Sequence, residues 1–124
     1  MPVLIDSSAW IDYLEGSKLG EDVRKLILSE EEIYALPIII SEVISKVQQH
    51  NKDTEIAFKS ISSNAIIYNP DIETAKQAGI LHANMVKKIQ GLSLADSIIH
   101  SCAKKLNAKI LTKDNHLIRL KKFL

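Results

Sequence analysis

The sequence predicts an α/β fold: a central, mostly parallel sheet of four or five strands flanked by helices, in one domain over residues 1–124. Three observations predict it. Short unbroken apolar runs alternate with longer stretches of helical period, the pattern of strands covered on both faces and joined by crossover helices. A length of 124 residues suits a single core. No internal repeat, low-complexity tract or linker-like stretch divides the chain.

The elements follow in order. Val3-Leu4-Ile5 reads as a buried strand. Asp6, Ser7 and Ser8 come next, then AWIDYL opens a helix that ends near Gly16. Glu21–Leu28 reads as a second helix, with Val23, Leu26 and Ile27 on one face. Glu32–Pro37 reads as a strand stopped by its proline. Ile39–His50 is helical by period, with Ile40, Val43, Ile44 and Val47 at i, i+3, i+4 and i+7. Thr54–Ser62 is a further helix, and Ala65–Asn69 a third strand closed by Pro70. A long helix runs from Asp71 to about Gln90, with Gly91 as its C-cap. Leu94–Leu106 has the clearest 3.6-residue period and stops at Asn107. Lys109–Leu111 is the fourth strand; the tail LIRLKKFL is a last helix or a short final strand.

Composition narrows the class. With 46% hydrophobic and 25% charged residues the chain has the make-up of a soluble globular protein. No apolar run approaches the roughly 20 residues of a membrane span. MPVLIDSS lacks the basic region and long apolar core of a signal peptide, so a cytoplasmic protein is expected. The single cysteine, Cys102, excludes an intramolecular disulfide and a cysteine-based zinc cluster, and its place in a helical apolar pattern predicts a buried, inert thiol. The net charge of +1 conceals an asymmetry: residues 1–86 carry 7 Lys/Arg against 13 Asp/Glu, whereas residues 87–124 carry 9 against 2. A basic C-terminal third points to a polyanionic partner, or to solvated outer faces of helices.

Four acids stand out by position, and each has an ordinary structural role beside a functional one. Asp6 follows the first strand, where ligands of open parallel sheets bind. It also sits where a helix cap is wanted, although Ser8 is the better-placed cap. Glu42 lies in the opening turns of its helix among Ile38, Ile39, Ile40, Val43 and Ile44. A helix-dipole role there contributes only tenths of a kcal/mol, about 0.3–1, while a carboxylate buried unpaired in such company is costly. Ser93-Leu94-Ala95-Asp96 matches a capping box, with Asp96 at N3. Asp114, in AKILTKDNH, is an Asx-turn or N-cap residue on one reading and a strand-end site residue on the other.

If the parallel strands end at one edge, Asp6, Glu42 and Asp114 emerge on one rim and Asp96 points at it. Converging carboxylates repel one another unless a cation lies among them or some are protonated. All-oxygen ligation selects Mg²⁺ or Mn²⁺ over zinc. Ser7, Ser8 and Thr112 can add hydroxyl contacts. Other chemistries lack their motifs: there is no GxGxxG, GxxxxGK[ST] or GxSxG, and His50, His82, His100 and His116 lack the HExxH spacing. His100 reads as a helix-surface residue, and His116, beside Asp114, as a possible substrate contact. A phosphoacceptor receiver domain would carry its aspartate after the third strand, where this chain has Tyr68-Asn69-Pro70.

These segments resemble the PIN-domain ribonucleases, most closely the small VapC-type toxins of toxin–antitoxin pairs. LIDSSAWIDYL resembles the family's opening strand, Asp, small hydroxyl residues and helix; PIIISEV carries the second acid; GLSLADSIIHSCAKKLNAKILTKDNHL resembles its most specific block. The chain departs from many members in having Leu117 where Phe is common. The family's final edge strand is expected to be short or missing. The resemblance implies an endoribonuclease dependent on Mg²⁺ or Mn²⁺, with Asp6, Asp96 and Asp114 as metal ligands and Glu42 as a ligand or the group orienting the attacking water. It further implies Ser7 and Thr112 in support, Lys113 on the RNA backbone, a homodimer, and a protein antitoxin that blocks the cleft. An apolar patch on Ile11–Leu14 or Val23–Leu28 would then be exposed on the isolated chain. The rival is a catalytically silent PIN-like module that binds RNA or protein.

Overall fold

The computed structural model describes residues 1–123. In chain order the elements are β1 (Val3–Ile5), α1 (Ser7–Glu15), α2 (Lys18–Ile27), β2 (Ile33–Ala35), α3 (Pro37–Gln49), α4 (Thr54–Ser62), β3 (Ile66–Ile67), α5 (Ile72–Met85), α6 (Leu94–Leu106), β4 (Lys109–Leu111) and α7 (Asn115–Phe123). The four strands form one parallel sheet in the order β3-β2-β1-β4. Four strands, and no fifth among the described residues, is the lower of the two expected counts; the tail is a helix, and Leu124 lies outside the described residues.

The order explains where a site can form. The chain steps from β1 to β2 to β3 in one direction, then returns to lay β4 on the other side of β1. Right-handed crossovers taken in opposite directions put their helices on opposite faces. Accordingly α1 packs on α2 and α3, and α3 on α4, while α6 packs on α5 and α7. The reversal between β1 and β4 makes their carboxyl ends a switch point of the topology, the place where such sheets bind ligands. Register fixes it: Ile5 pairs with Leu111, so the residues after both strands leave the sheet side by side.

The core is continuous. Leu4, Ile5 and Trp10 are fully buried, and so are Ile39, Ile61, Ile99, Leu117 and Leu120 from the surrounding helices and Leu36 and Ile89 from the segments beside them. Cys102 is buried as expected, and burial pushes its thiol up to about 11, with Asp71 adding to the rise.

Strands β2 and β3 are shorter than read in the sequence, β3 shrinking from Ala65–Asn69 to Ile66–Ile67, and three further boundaries differ. Pro37 does not stop a strand; it opens α3 at a first-turn position, where the missing N–H costs nothing. Helix α2 begins at Lys18 with Ser17 at its cap position, because Gly20 lies against α1: a Cβ there would sit 2.6 Å from the Asp12 carbonyl oxygen. The glycine that weakens local helix propensity is required by packing. Helix α5 ends at Met85, and residues 86–92 turn so that Ile89 and Leu92 are buried, with His82 Nε2 against the Leu92 carbonyl at 3.0 Å.

Asp12 is the unforeseen buried charge. Its side chain is 6% exposed, and the Lys113 ammonium reaches its Oδ1 at 2.5 Å. Lys113 therefore turns toward α1, and its side chain ties the β4–α7 loop to that helix. Removing one partner of a buried pair leaves an uncompensated charge, here moderated because Lys113 is 58% exposed. Lys113→Met is expected to cost about 1–3 kcal/mol. Adding Asp12→Asn should recover much of that loss in chemical denaturation. An unchanged midpoint in the single variant would show the pair to be unimportant.

Candidate metal centre

Asp6 emerges from β1 as the backbone N-cap residue of α1, with no side-chain cap bond. The carboxylate is thus free to serve elsewhere. Its Oδ2 accepts from Thr112 Oγ1 at 2.8 Å and from Ser8 Oγ at 3.1 Å. Each hydroxyl also accepts from the β4–α7 loop: Lys113 N donates to Ser8 Oγ at 3.1 Å, and Asp114 N to Thr112 Oγ1 at 3.0 Å. Ser8, expected as the cap of α1, works instead as a link between the β1 and β4 ends. A hydroxyl has one donor and two acceptor positions, and both residues use the two kinds. The result locks Asp6 and Asp114 into one frame.

Asp114 caps α7. Its Oδ1 accepts from Leu117 N at 3.0 Å. Asp96 completes the capping box of α6: Asp96 N donates to Ser93 Oγ at 3.0 Å and Ser93 N to Asp96 Oδ2 at 3.1 Å. The capping and site roles are therefore compatible, since a cap fixes the carboxyl where the site needs it. Asp96, Asp114 and His116 each offer a ligand atom, all within 4.8 Å of one another. His116 Nδ1 lies 3.6 Å from Asp114 Oδ1.

Glu42 reaches the same pocket from α3. Its Oε1 is fully buried with no hydrogen-bond partner. Burial is the main cause that raises its pKa above the ordinary 4.5; the charges of Asp6, Asp96 and Asp114 raise it further, while the Ser7 hydroxyl favours the charged form. Asp96 is raised above 3.8 chiefly by burial, with Asp114 and Asp6 adding to it and the Ser93 cap opposing. The charges of Asp6, Asp96 and Asp114 thus all act on Glu42, and those of Asp6 and Asp114 act on Asp96, while among the described residues only Asp96 and Asp114 of these acids belong to a group of three ligand atoms within 4.8 Å of one another. An orphaned carboxylate oxygen among acids that repel one another fits a divalent cation.

His100, expected on a helix surface, is half-buried one turn beyond Asp96, and its Nδ1 has no partner. Burial lowers its pKa, with help from Lys104 and Lys121. It lines a cleft of about 1110 Å³ together with Lys104, Lys105, Lys109 and Lys121.

The raised carboxyls fix a sign. With folded pKa values above the ordinary ones, the native state binds more protons than the unfolded chain, so stability falls as pH rises through the raised values. In the metal-free chain, Glu42→Gln is expected to raise the melting temperature at pH 7. The gain should vanish below pH 4.5, the ordinary Glu42 value, where that side chain is protonated anyway. A gain independent of pH would refute this account.

Comparison with known proteins follows the same lines. The model of the PIN domain matches residues 3–123. No curated protein matches the chain in sequence. Among solved structures, Mycobacterium tuberculosis VapC20, described as a sarcin–ricin loop cleaving toxin, superposes with a TM-score of 0.77 at 11% identity, over 94% of this chain and 93% of that one. VapBC2 from Rickettsia felis, bound to a DNA fragment from its promoter, gives 0.75 at 16% identity, over 96% and 92%. Those likenesses show the fold, and with the domain match spanning nearly all of it, the chain belongs to the PIN-domain family.

Proposed function

We propose that the chain is a metal-dependent endoribonuclease that hydrolyses RNA phosphodiester bonds, acting as the toxin of a toxin–antitoxin pair. What supports this reading is the mutual effect of the Asp6, Glu42, Asp96 and Asp114 charges, together with Glu42 Oε1 buried without a partner. Two relatives in fold support it: one is described as a sarcin–ricin loop cleaving toxin, the other as a complex bound to a DNA fragment from its promoter.

Bare carboxylates repel a phosphodiester. A bound Mg²⁺ or Mn²⁺ supplies the positive charge that draws in a phosphate oxygen and makes a bound water more acidic. Asp6, Asp96 and Asp114 are the residues to hold that ion. Glu42 is a further ligand or the group that orients the attacking water, and Ser7 favours its charged form. Thr112 and Ser8 hold Asp6. Lys113 serves this frame through Asp12. The lysine-lined cleft beyond Asp96 offers a path for the RNA backbone.

An antitoxin would need an apolar seat. Ile11 and Leu14 line a groove with Val47, Ile56 and Ala57, between α1, α3 and α4. Val23 is buried, whereas Leu28 stands exposed at the end of α2. A homodimer and residence in the cytoplasm belong to the same reading. No helix is long and apolar enough to cross a membrane among the described residues.

Asp6→Asn is expected to abolish RNA cleavage in Mg²⁺ and Mn²⁺ with the melting temperature kept, and EDTA should silence the native chain. Full activity of the variant would defeat the proposal, and a native chain that neither binds the metal in calorimetric titration nor cleaves RNA would favour a silent module. Replacing both Lys104 and Lys109 by Glu should flatten the dependence of log affinity on log salt by about 1.4, at roughly 0.7 per lost single-strand phosphate contact.

A further inference from the structure

We infer that His116 donates a ring nitrogen to the ion held by Asp96 and Asp114, making a mixed oxygen–nitrogen centre that favours divalent transition ions over Mg²⁺. The inference rests on the metal reading above and changes its donor set, which the carboxylates alone would make purely oxygen.

Geometry carries it. The three ligand atoms lie within 4.8 Å of one another. Around a six-coordinate ion with bonds of about 2.1 Å, neighbouring ligands stand about 3.0 Å apart and opposite ones about 4.2 Å. The separation of His116 Nδ1 from Asp114 Oδ1, 3.6 Å, is too long for a hydrogen bond and lies between those two spacings. The ring is also held in place. On its other side Nε2 faces Gly91, where an added Cβ would lie 2.9 Å away. Gly91 has φ +85, so the turn before α6 needs glycine for its backbone and for the ring packed on it. His116 sits in the first turn of α7, which Asp114 caps, so one piece of backbone sets both donors.

Donor chemistry decides the selectivity. Mg²⁺ is a hard ion served by oxygen, while an imidazole nitrogen strengthens binding of the divalent transition series. Mn²⁺ is the probe of choice because its unpaired electrons report on bound nitrogen.

The test loads the full chain with Mn²⁺ and records electron spin-echo modulation from ¹⁴N, with calorimetric titrations of Mn²⁺ and Mg²⁺ alongside. The native chain should show a ¹⁴N coupling of directly bound imidazole. His116→Gln should lose it and weaken Mn²⁺ binding by about tenfold or more, the scale on which groups around a metal are felt, with Mg²⁺ affinity moved less than about twofold. His116 is partly exposed, and a thermal melt confirms that the variant folds. A native chain that binds Mn²⁺ through Asp96 and Asp114 without nitrogen coupling, and equally well after His116→Gln, overturns the inference and leaves the metal reading standing. A native chain that binds neither ion overturns both.

Discussion

Repulsion among carboxylates in a poorly solvated pocket is the constraint around which this molecule is organised. Asp6 and Asp114 follow β1 and β4, Glu42 and Asp96 come from α3 and α6, and the last two are pushed toward their protonated forms by burial and by the charges of the others. A fold tolerates such a cluster only if the backbone forbids the acids from swinging away. Here Asp96 and Asp114 are held by their own helix caps, and Asp6 by two hydroxyls that are themselves fixed by loop amides. The cost is concentrated on Glu42, whose inner oxygen has no donor.

The Asp12–Lys113 pair extends this frame away from the chemistry. It joins α1, which follows Asp6, to the loop that carries Thr112 and Asp114. Hydroxyl links and an ion pair thus bind the two strand ends independently. Such redundancy suits a preorganised site, in which small displacements of a donor are felt strongly.

Much of this was legible in the residues, and the failures have physical causes. Leu94–Leu106 and Lys109–Leu111 could be read to the residue because period, cap and stop signals agreed there. Pro37 was misread because proline ends a strand and opens a helix with equal ease. Gly20 hid the first turn of α2, since its reason lies in the contact with α1. Asp6, Glu42 and Asp114 stood out because strand ends are visible in sequence, and Asp96 because it opens a capped helix. Asp12 did not, because an acid in an amphipathic helix looks solvated until tertiary packing buries it. His116 carried a weak signal, its nearness to Asp114, while the partner that orients its ring, Gly91, is remote in sequence and had been read only as a helix stop.

The distance along the chain between the strands that frame the pocket has a consequence for biosynthesis. Thr112 and Asp6 are 106 residues apart, and the hydrogen bond between them closes the site. Translation delivers Asp6 among the first residues and Asp114 after every other acid of the pocket. Until β4 has emerged and docked on β1, a nascent chain holds an incomplete set of donors. On the proposed reading, the growing polypeptide has no finished site to turn on RNA until that docking is done.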